Sequence, residues 1–90
     1  MNQATHSHAS VLAQIFAYLD EHLQQRPAAP ISAQSRLIAD LGLDSLQSFE
    51  MVADLEDHYG VTVAMEALQG VTTLDDVARV IVDALAGRAS

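Results

Sequence analysis

The sequence predicts an all-α protein: a small, irregular four-helix bundle with three long helices, one short third helix and a long loop between helices 1 and 2. Apolar residues recur at intervals of three and four along most of the chain, which is the spacing of one helix face. The one segment with strand-like alternation, residues 61–63, has no second strand to pair with. Because 90 residues suffice for one hydrophobic core but not for two, a single domain is expected.

The first helix is predicted from residue 10 to about residue 25. One apolar stripe at helical spacing supports it, formed by Leu12, Ile15, Phe16, Leu19 and Leu23. Pro27 and Pro30 end it, since proline lacks the amide proton that a helix interior needs. The connection that follows runs to about residue 44 and carries enough leucine and isoleucine to lie across the core, with a short helical turn expected near residues 36–41.

The second long helix is expected to begin at Asp44 or Ser45 and to end near Tyr59. Gly60 follows it and can take the left-handed conformation that closes a helix at little cost. Residues 61–63 are then expected to be a loop, because three alternating residues cannot form a sheet by themselves.

A short helix and a long one complete the chain. The short helix is expected at about residues 65–69 and ends at Gly70. The last helix runs from residue 73 to about residue 85, because Thr73 and Asp76 have capping-box spacing and an apolar face follows them. The predicted organisation is a flexible tail at 1–9, a folded domain at 10–86 and a flexible tail at 87–90.

Charge and composition exclude several classes of function. Asp and Glu number 12 against four Arg, the chain has no lysine, and its net charge is −8, so DNA and RNA backbones would be repelled. No apolar run is long enough to insert into a membrane, and no export signal is visible at the start. The absence of cysteine suits a reducing cytoplasm. We expect a cytoplasmic monomer whose protein partners carry basic patches, although acidity can also serve solubility alone.

Residues that could catalyse a reaction are scarce. The chain has no Gly-rich phosphate loop, no His-Glu-x-x-His motif and no serine with a plausible triad around it. A small metal-binding protein using His6 and His8 would need an ordered tail, so no metal site is predicted, and His22 and His58 are isolated. A non-catalytic protein is therefore expected.

Ser45 stands out because a glycine-containing loop delivers it to the start of a helix. If Asp44 is the N-cap, Gln47 lies three residues later, as a reciprocal capping pair requires, and the Ser45 hydroxyl is left free. The positive end of the helix dipole would stabilise a phosphodiester attached there by about 0.3–1 kcal/mol. The alternative is that Asp-Ser before an apolar run is ordinary helix-start chemistry.

The second helix carries two further surfaces besides its core stripe of Met51, Val52, Leu55 and Tyr59. We call the polar and mainly acidic side the acidic ridge, which consists of Gln47, Glu50, Asp54, Asp57 and His58. We call the second apolar patch the apolar strip, which consists of Leu46, Phe49 and Ala53. Both begin beside the serine and together suit a basic partner groove, unless the strip packs against the connection or the last helix.

At residues 41–46, Leu-Gly-Leu-Asp-Ser-Leu, with Glu50 one turn on, the chain resembles the phosphopantetheine attachment motif of acyl carrier proteins. The resemblance extends over roughly residues 12–85. It implies that Ser45 receives 4′-phosphopantetheine from coenzyme A, assisted by Asp44, and that acyl groups travel as thioesters on the thiol of the arm. It also implies a space for the acyl chain, lined by Phe16, Val52, Leu55, Val63, Leu68 and Val71.

The resemblance further implies which partners meet the chain. They are a phosphopantetheinyl transferase and the acyl-transferring, condensing and modifying enzymes of fatty-acid, polyketide or polyene biosynthesis. The docking residues that it implies, together with the surfaces above, are Asp40, Leu46, Gln47, Phe49, Glu50, Ala53, Asp54 and Asp57.

Two departures from the family pattern favour a specialised pathway over housekeeping fatty-acid synthesis. Many fatty-acid carriers have an acidic residue where this chain has Gln47, and a smaller aliphatic residue where it has Phe49. A peptidyl or aminoacyl carrier is less favoured, because the context of Leu43, Asp44 and Ser45 differs from the glycine-rich context usual there. An unmodified acidic helical adaptor is the alternative from another class, and modification of Ser45 separates it from a carrier.

Overall fold

A computed structural model of the chain describes residues 7–23, 27 and 30–89. Four helices follow one another: α1 at His8–His22, α2 at Ser45–Tyr59, α3 at Met65–Leu68 and α4 at Leu74–Ala89. Over the described ranges no strand forms, and the one β-type pairing is an isolated bridge between Arg36 and Thr73. The predicted class, three long helices and one short third helix with a long first loop, is confirmed.

Helix α1 begins at His8, two residues earlier than predicted, because the sequence supplies a cap there. The Ser7 hydroxyl oxygen accepts a hydrogen bond from the amide of Ser10 at 3.1 Å. The helix therefore begins inside the segment 1–9, for which a flexible tail was predicted, and residues 1–6 lie outside the described part. The helix ends at His22, before the predicted end near residue 25.

Helix α4 begins as predicted and ends later. The Thr73 hydroxyl accepts from the amide of Asp76 at 3.1 Å, while a carboxylate oxygen of Asp76 accepts from the amide of Thr73 at 3.1 Å. The helix then continues to Ala89, into the segment 87–90 for which a flexible tail was predicted. The residues after Leu85 are mostly alanine and arginine, which are strong helix formers, and one glycine among them does not end the helix.

The connection between α1 and α2 is anchored to the start of α4. The amide of Leu37 donates to the carbonyl of Thr72 at 2.9 Å, and the amide of Leu74 donates to the carbonyl of Ser35 at 3.1 Å. The short helical turn predicted near residues 36–41 is present, because the amide of Asp40 donates to the carbonyl of Arg36 at 3.1 Å, four residues earlier. Gly42 follows with φ of 73°, a left-handed conformation that suits glycine. The connection thus delivers the start of α2 to a fixed place.

One hydrophobic core holds these elements together. Helix α1 packs mainly on α4, and the connection and α2 close the remaining sides. The core residues that the structure buries are Val11, Ile15, Leu19, Leu37, Leu41, Leu43, Met51, Val52, Leu55, Leu74, Val77, Ala78 and Ile81. Because three leucines of the connection belong to this core, the loop before α2 is packed against the helices along much of its length.

Helix α2 ends at Gly60 with φ of 68°, and residues 61–64 form a loop. The carboxylate of Glu56 accepts from the amide of Val63 at 2.6 Å, which ties this loop back onto the last turn of α2. The predicted loop at 61–63 is confirmed, and α3 ends one residue before the predicted end.

Candidate functional site

Ser45 is the first residue of α2, and its neighbours form the cap. A carboxylate oxygen of Asp44 accepts from the amide of Gln47 at 2.7 Å, and the Gln47 side-chain oxygen accepts from the amide of Asp44 at 3.1 Å. The capping box predicted from the spacing of these residues is therefore present. Because Asp44 supplies the capping oxygen, the exposed Ser45 hydroxyl takes no part in the cap.

A cavity of about 380 Å³ opens beside Ser45. The connection, α2 and the segment from α3 to α4 each form one wall. The lining residues are Arg36, Leu37, Ile38, Ala39, Ser45, Ser48, Phe49, Val52, Leu68, Val71, Thr72 and Val77. Most of this lining is apolar, so a chain attached at Ser45 would find an apolar space next to its point of attachment.

The cavity agrees with only part of the lining that the resemblance implied. Val52, Leu68 and Val71 line it. Phe16 and Val63 do not, and Leu55 is fully buried in the core. Sequence reasoning missed the wall from the connection and from Phe49, although the three consecutive apolar residues after Arg36 are a signal that this segment has two apolar sides.

The apolar strip lies open on the surface. Leu46 is 65% exposed and Phe49 is 48% exposed, and Ala53 is exposed as well. The alternative that the strip packs against the last helix is therefore wrong for Leu46. Phe49 differs from its neighbours in the strip, because it also forms part of the cavity wall. The strip thus continues the cavity lining outward along α2.

The acidic ridge is exposed at every position, and its charge reaches α1. Partial burial raises the pKa of Tyr18, and the nearby carboxylates of Asp54 and Glu50 raise it further. These two carboxylates therefore lie near enough to Tyr18 for their charges to act on it. The ridge and the strip are two separate, adjacent surfaces that both begin at Ser45.

Asp40 is exposed as its predicted docking role requires, but it also has a partner in this chain. Its carboxylate accepts from the backbone amide of Arg36 at 2.7 Å and from the guanidinium Nε at 3.2 Å. The hydrogen bond from the Arg36 side chain, followed by the one from its amide, holds the pKa of Asp40 below its usual range. The same pairing raises the pKa of Arg36. Asp40 therefore fixes Arg36 at the edge of the cavity.

The histidines form no common site. His8 Nε2 lies 2.9 Å from a carboxylate oxygen of Asp75, and the Nδ1 atom of His22 lies 2.8 Å from the carbonyl oxygen of Tyr18. Across the part of the chain that the structure describes, no group of three or more histidines and carboxylates is placed to hold a metal ion. His6 lies outside that part. Within the same ranges, no helix is both long and apolar enough to cross a membrane.

Comparison with known proteins agrees with this site. Residues 12–81 match the family described as "Phosphopantetheine attachment site". An acyl carrier protein of Saccharopolyspora erythraea is 34% identical over 76 residues, which cover 81% of this chain and 80% of that protein. "Acyl carrier protein 2, chloroplastic" of Hordeum vulgare is 41% identical over 54 residues, which cover 60% of this chain and 41% of that protein.

A third relative is an acyl carrier protein of an Exiguobacterium species, 38% identical over 52 residues, which cover 58% of this chain and 66% of that protein. The family match extends well beyond the serine motif and takes in the helices that build the cavity. The chain therefore belongs to the acyl carrier protein family, whose non-catalytic members hold a covalently attached 4′-phosphopantetheine group.

Proposed function

We propose that Ser45 is the point at which 4′-phosphopantetheine is attached and from which the chain presents acyl groups to its partner enzymes. One observation carries this assignment: Ser45 is an exposed serine at the start of a 15-residue helix whose capping is done by Asp44 and Gln47. Its hydroxyl is therefore available for a phosphodiester, and the first turn of α2 offers the positive end of its dipole to that charge.

The chain's own residues fit such a group. When bound, the arm supplies the thiol that forms thioesters, which this cysteine-free chain cannot supply itself. Ser45 holds the arm, Asp44 fixes the turn on which Ser45 lies, and the cavity beside Ser45 excludes water from an apolar chain. Glu56 ties the loop before α3 back onto α2, and Leu68 of α3 lines that space.

The test is intact-protein mass spectrometry after incubation with coenzyme A and a broad-specificity phosphopantetheinyl transferase. The parent chain should gain the mass of one phosphopantetheine, and Ser45→Ala should gain none. Ser48→Ala is the matched control, because Ser48 lines the same cavity three residues later and its hydroxyl donates to the carbonyl of Asp44 at 3.0 Å. This control should be modified like the parent.

Modification of Ser45→Ala would place the arm elsewhere and contradict the assignment. No mass gain on the parent with several transferases would instead favour the unmodified adaptor. The fold of each variant is checked by its helical circular dichroism, so that loss of structure is not mistaken for loss of the attachment point.

We further propose that the acidic ridge and the apolar strip, with Asp40, form the docking surface for partner enzymes. All eight residues that the sequence suggested for docking are exposed: Asp40, Leu46, Gln47, Phe49, Glu50, Ala53, Asp54 and Asp57. An apolar centre beside a charged border is the arrangement common at transient interfaces. The charge of the ridge suits basic patches on a transferase or on condensing and modifying enzymes.

A specialised pathway, of the polyketide or polyene kind, is the proposal that the first turns of α2 favour. Gln47 is neutral where many fatty-acid carriers are acidic, and its side chain is engaged in the cap. Phe49 places an aromatic ring on the surface where a smaller aliphatic residue is usual. Both differences lie on the proposed docking surface, so they would alter which partners are selected. An aminoacyl cargo is the alternative that loading assays with each cargo class would reveal.

A further inference from the structure

The cavity beside Ser45 offers very few hydrogen-bond donors to anything that enters it. Among its lining side chains that the structure describes, the polar ones belong to Arg36, Ser45, Ser48 and Thr72. The Ser48 hydroxyl donates to the carbonyl of Asp44 at 3.0 Å, and the Thr72 hydroxyl donates to the carbonyl of Gly70 at 3.3 Å. Attachment of the arm would consume the proton of Ser45. Arg36 is then the lining residue whose side chain still has donors to offer.

Hydrogen bonds to Asp40 hold the Arg36 side chain but do not occupy all of its N–H donors. Asp40 accepts from Nε at 3.2 Å and from Nη2 at 3.4 Å, and the same carboxylate accepts from the Arg36 amide at 2.7 Å. A guanidinium has five N–H donors, so these contacts leave several of them free. The side chain remains 57% exposed, at the edge of a mainly apolar space. A cation paired with Asp40 thus lies beside a mainly apolar cavity in a chain of net charge −8.

A saturated hydrocarbon chain gains nothing from such a donor. A chain that carries a carbonyl or carboxylate oxygen gains a charge-assisted hydrogen bond and still buries its methylene groups against the remaining walls. We propose that Arg36 is a specificity-determining residue, which favours an acyl cargo bearing an oxygen acceptor beyond the thioester over a fully reduced chain of equal length. This inference rests on the proposed attachment at Ser45.

The experiment compares two cargoes that differ in one carbonyl. The holo, butyryl and 3-oxobutyryl forms are prepared on the parent chain, on Arg36→Gln and on Arg79→Gln, and each loaded form is verified by intact mass. Arg79 is the matched control, because it is an exposed arginine paired to Asp75 at 2.6 Å and does not line the cavity. Nitrogen–proton NMR spectra then report the Arg36 Nε–H and the backbone amides of Leu37, Val71 and Thr72.

In the parent and in Arg79→Gln, the resonances of the three amides should differ between the 3-oxobutyryl and butyryl forms. The resonance of the Arg36 Nε–H should differ between the two forms as well. In Arg36→Gln the amide differences should be about two- to fivefold smaller, as for loss of one partly exposed charge-assisted hydrogen bond. The backbone contacts of residue 36 with Asp40 and Thr73 do not depend on its side chain, so this variant should keep the loop intact.

Undiminished amide differences in Arg36→Gln would overturn the proposal, as would an Arg36 Nε–H resonance that does not distinguish the two cargoes in the parent. An Nε–H resonance already fully shifted in the holo form would show that Arg36 binds the phosphate or amide groups of the arm instead. Failure of loading would be seen by mass before any spectrum is recorded. It would contradict the proposed attachment at Ser45 and not the proposed role of Arg36.

Discussion

At the scale of single residues, Asp76 shows how one carboxylate can organise the start of a helix. One of its oxygens accepts from the amides of Thr72 at 3.0 Å and Thr73 at 3.1 Å. These two hydrogen bonds, in that order, hold the pKa of Asp76 below its usual range. A lowered pKa in the folded chain means that the ionised form stabilises the fold, and that this contribution is lost as the pH falls through the folded pKa.

We therefore expect Asp76→Asn to reduce the free energy of unfolding by about 0.5–1 kcal/mol at about pH 7. The difference from the parent should shrink at about pH 3, because the contribution of the ionised Asp76 begins to be lost below the unperturbed aspartate pKa of about 3.9. Urea unfolding at the two pH values measures it. A difference of equal size at both would show that the charge of Asp76 contributes nothing to α4.

The residues around Ser45 could be predicted from local spacing, whereas the role of Arg36 could not. Asp44 and Gln47 are three residues apart, and a capping box needs nothing more distant. Arg36 reaches the cavity only because the connection is hydrogen-bonded to residue 72, far along the chain. For the same reason Leu55 was assigned to the cavity although it lies in the core: apolar residues look alike in a sequence until the packing decides which of them faces an open space.

At the scale of elements, the sequence predicted where the helices begin more accurately than where they end. Asp44 and Thr73 mark the starts of α2 and α4 by their side-chain chemistry. No such signal marks the end of α4, where good helix formers continue past Leu85. The start of α1 was placed two residues late because the apolar pattern begins only after residue 10, whereas the structure begins the helix at the cap formed by Ser7.

The charge in the first turns of helix α2 should affect the rate at which acyl groups pass between the chain and its partner enzymes. With a housekeeping fatty-acid condensing enzyme, Gln47→Glu should speed acyl transfer and Glu50→Lys should slow it, each by about two- to tenfold at low salt. Both residues are exposed, so the fold should survive either change. The measurement is the transfer rate from the loaded carrier at several salt concentrations.

Equal rates for the parent and Gln47→Glu would contradict the proposal that the neutral residue there excludes housekeeping partners. Rates that Glu50→Lys leaves unchanged would remove Glu50 from the docking surface. The rate at which a phosphopantetheinyl transferase modifies each variant serves as the comparison. It shows whether the substituted charge affects docking to every partner or to condensing enzymes alone.

At the scale of the whole molecule, negative charges far outnumber positive ones in a small protein. The net charge is −8 on 90 residues, and Arg36 and Arg79 each pair with carboxylates in their own helix or turn. Such an excess repels itself in the compact state and attracts basic partners. Salt should therefore act in opposite directions on folding and on docking, because it screens the repulsion within the chain and the attraction between chains alike.

We expect the melting temperature to rise between about 0.01 M and about 0.15 M sodium chloride, as the screening length falls from about 30 Å to about 8 Å. Transfer to partners should slow over the same range. Glu50→Lys replaces one negative charge of the acidic ridge by a positive one, so the net charge becomes two units less negative and the melting temperature should rise less with salt than that of the parent. A melting temperature that falls with salt would show that ion pairs such as Arg79 with Asp75 outweigh the repulsion, and that the acidity of the chain places no strain on its fold.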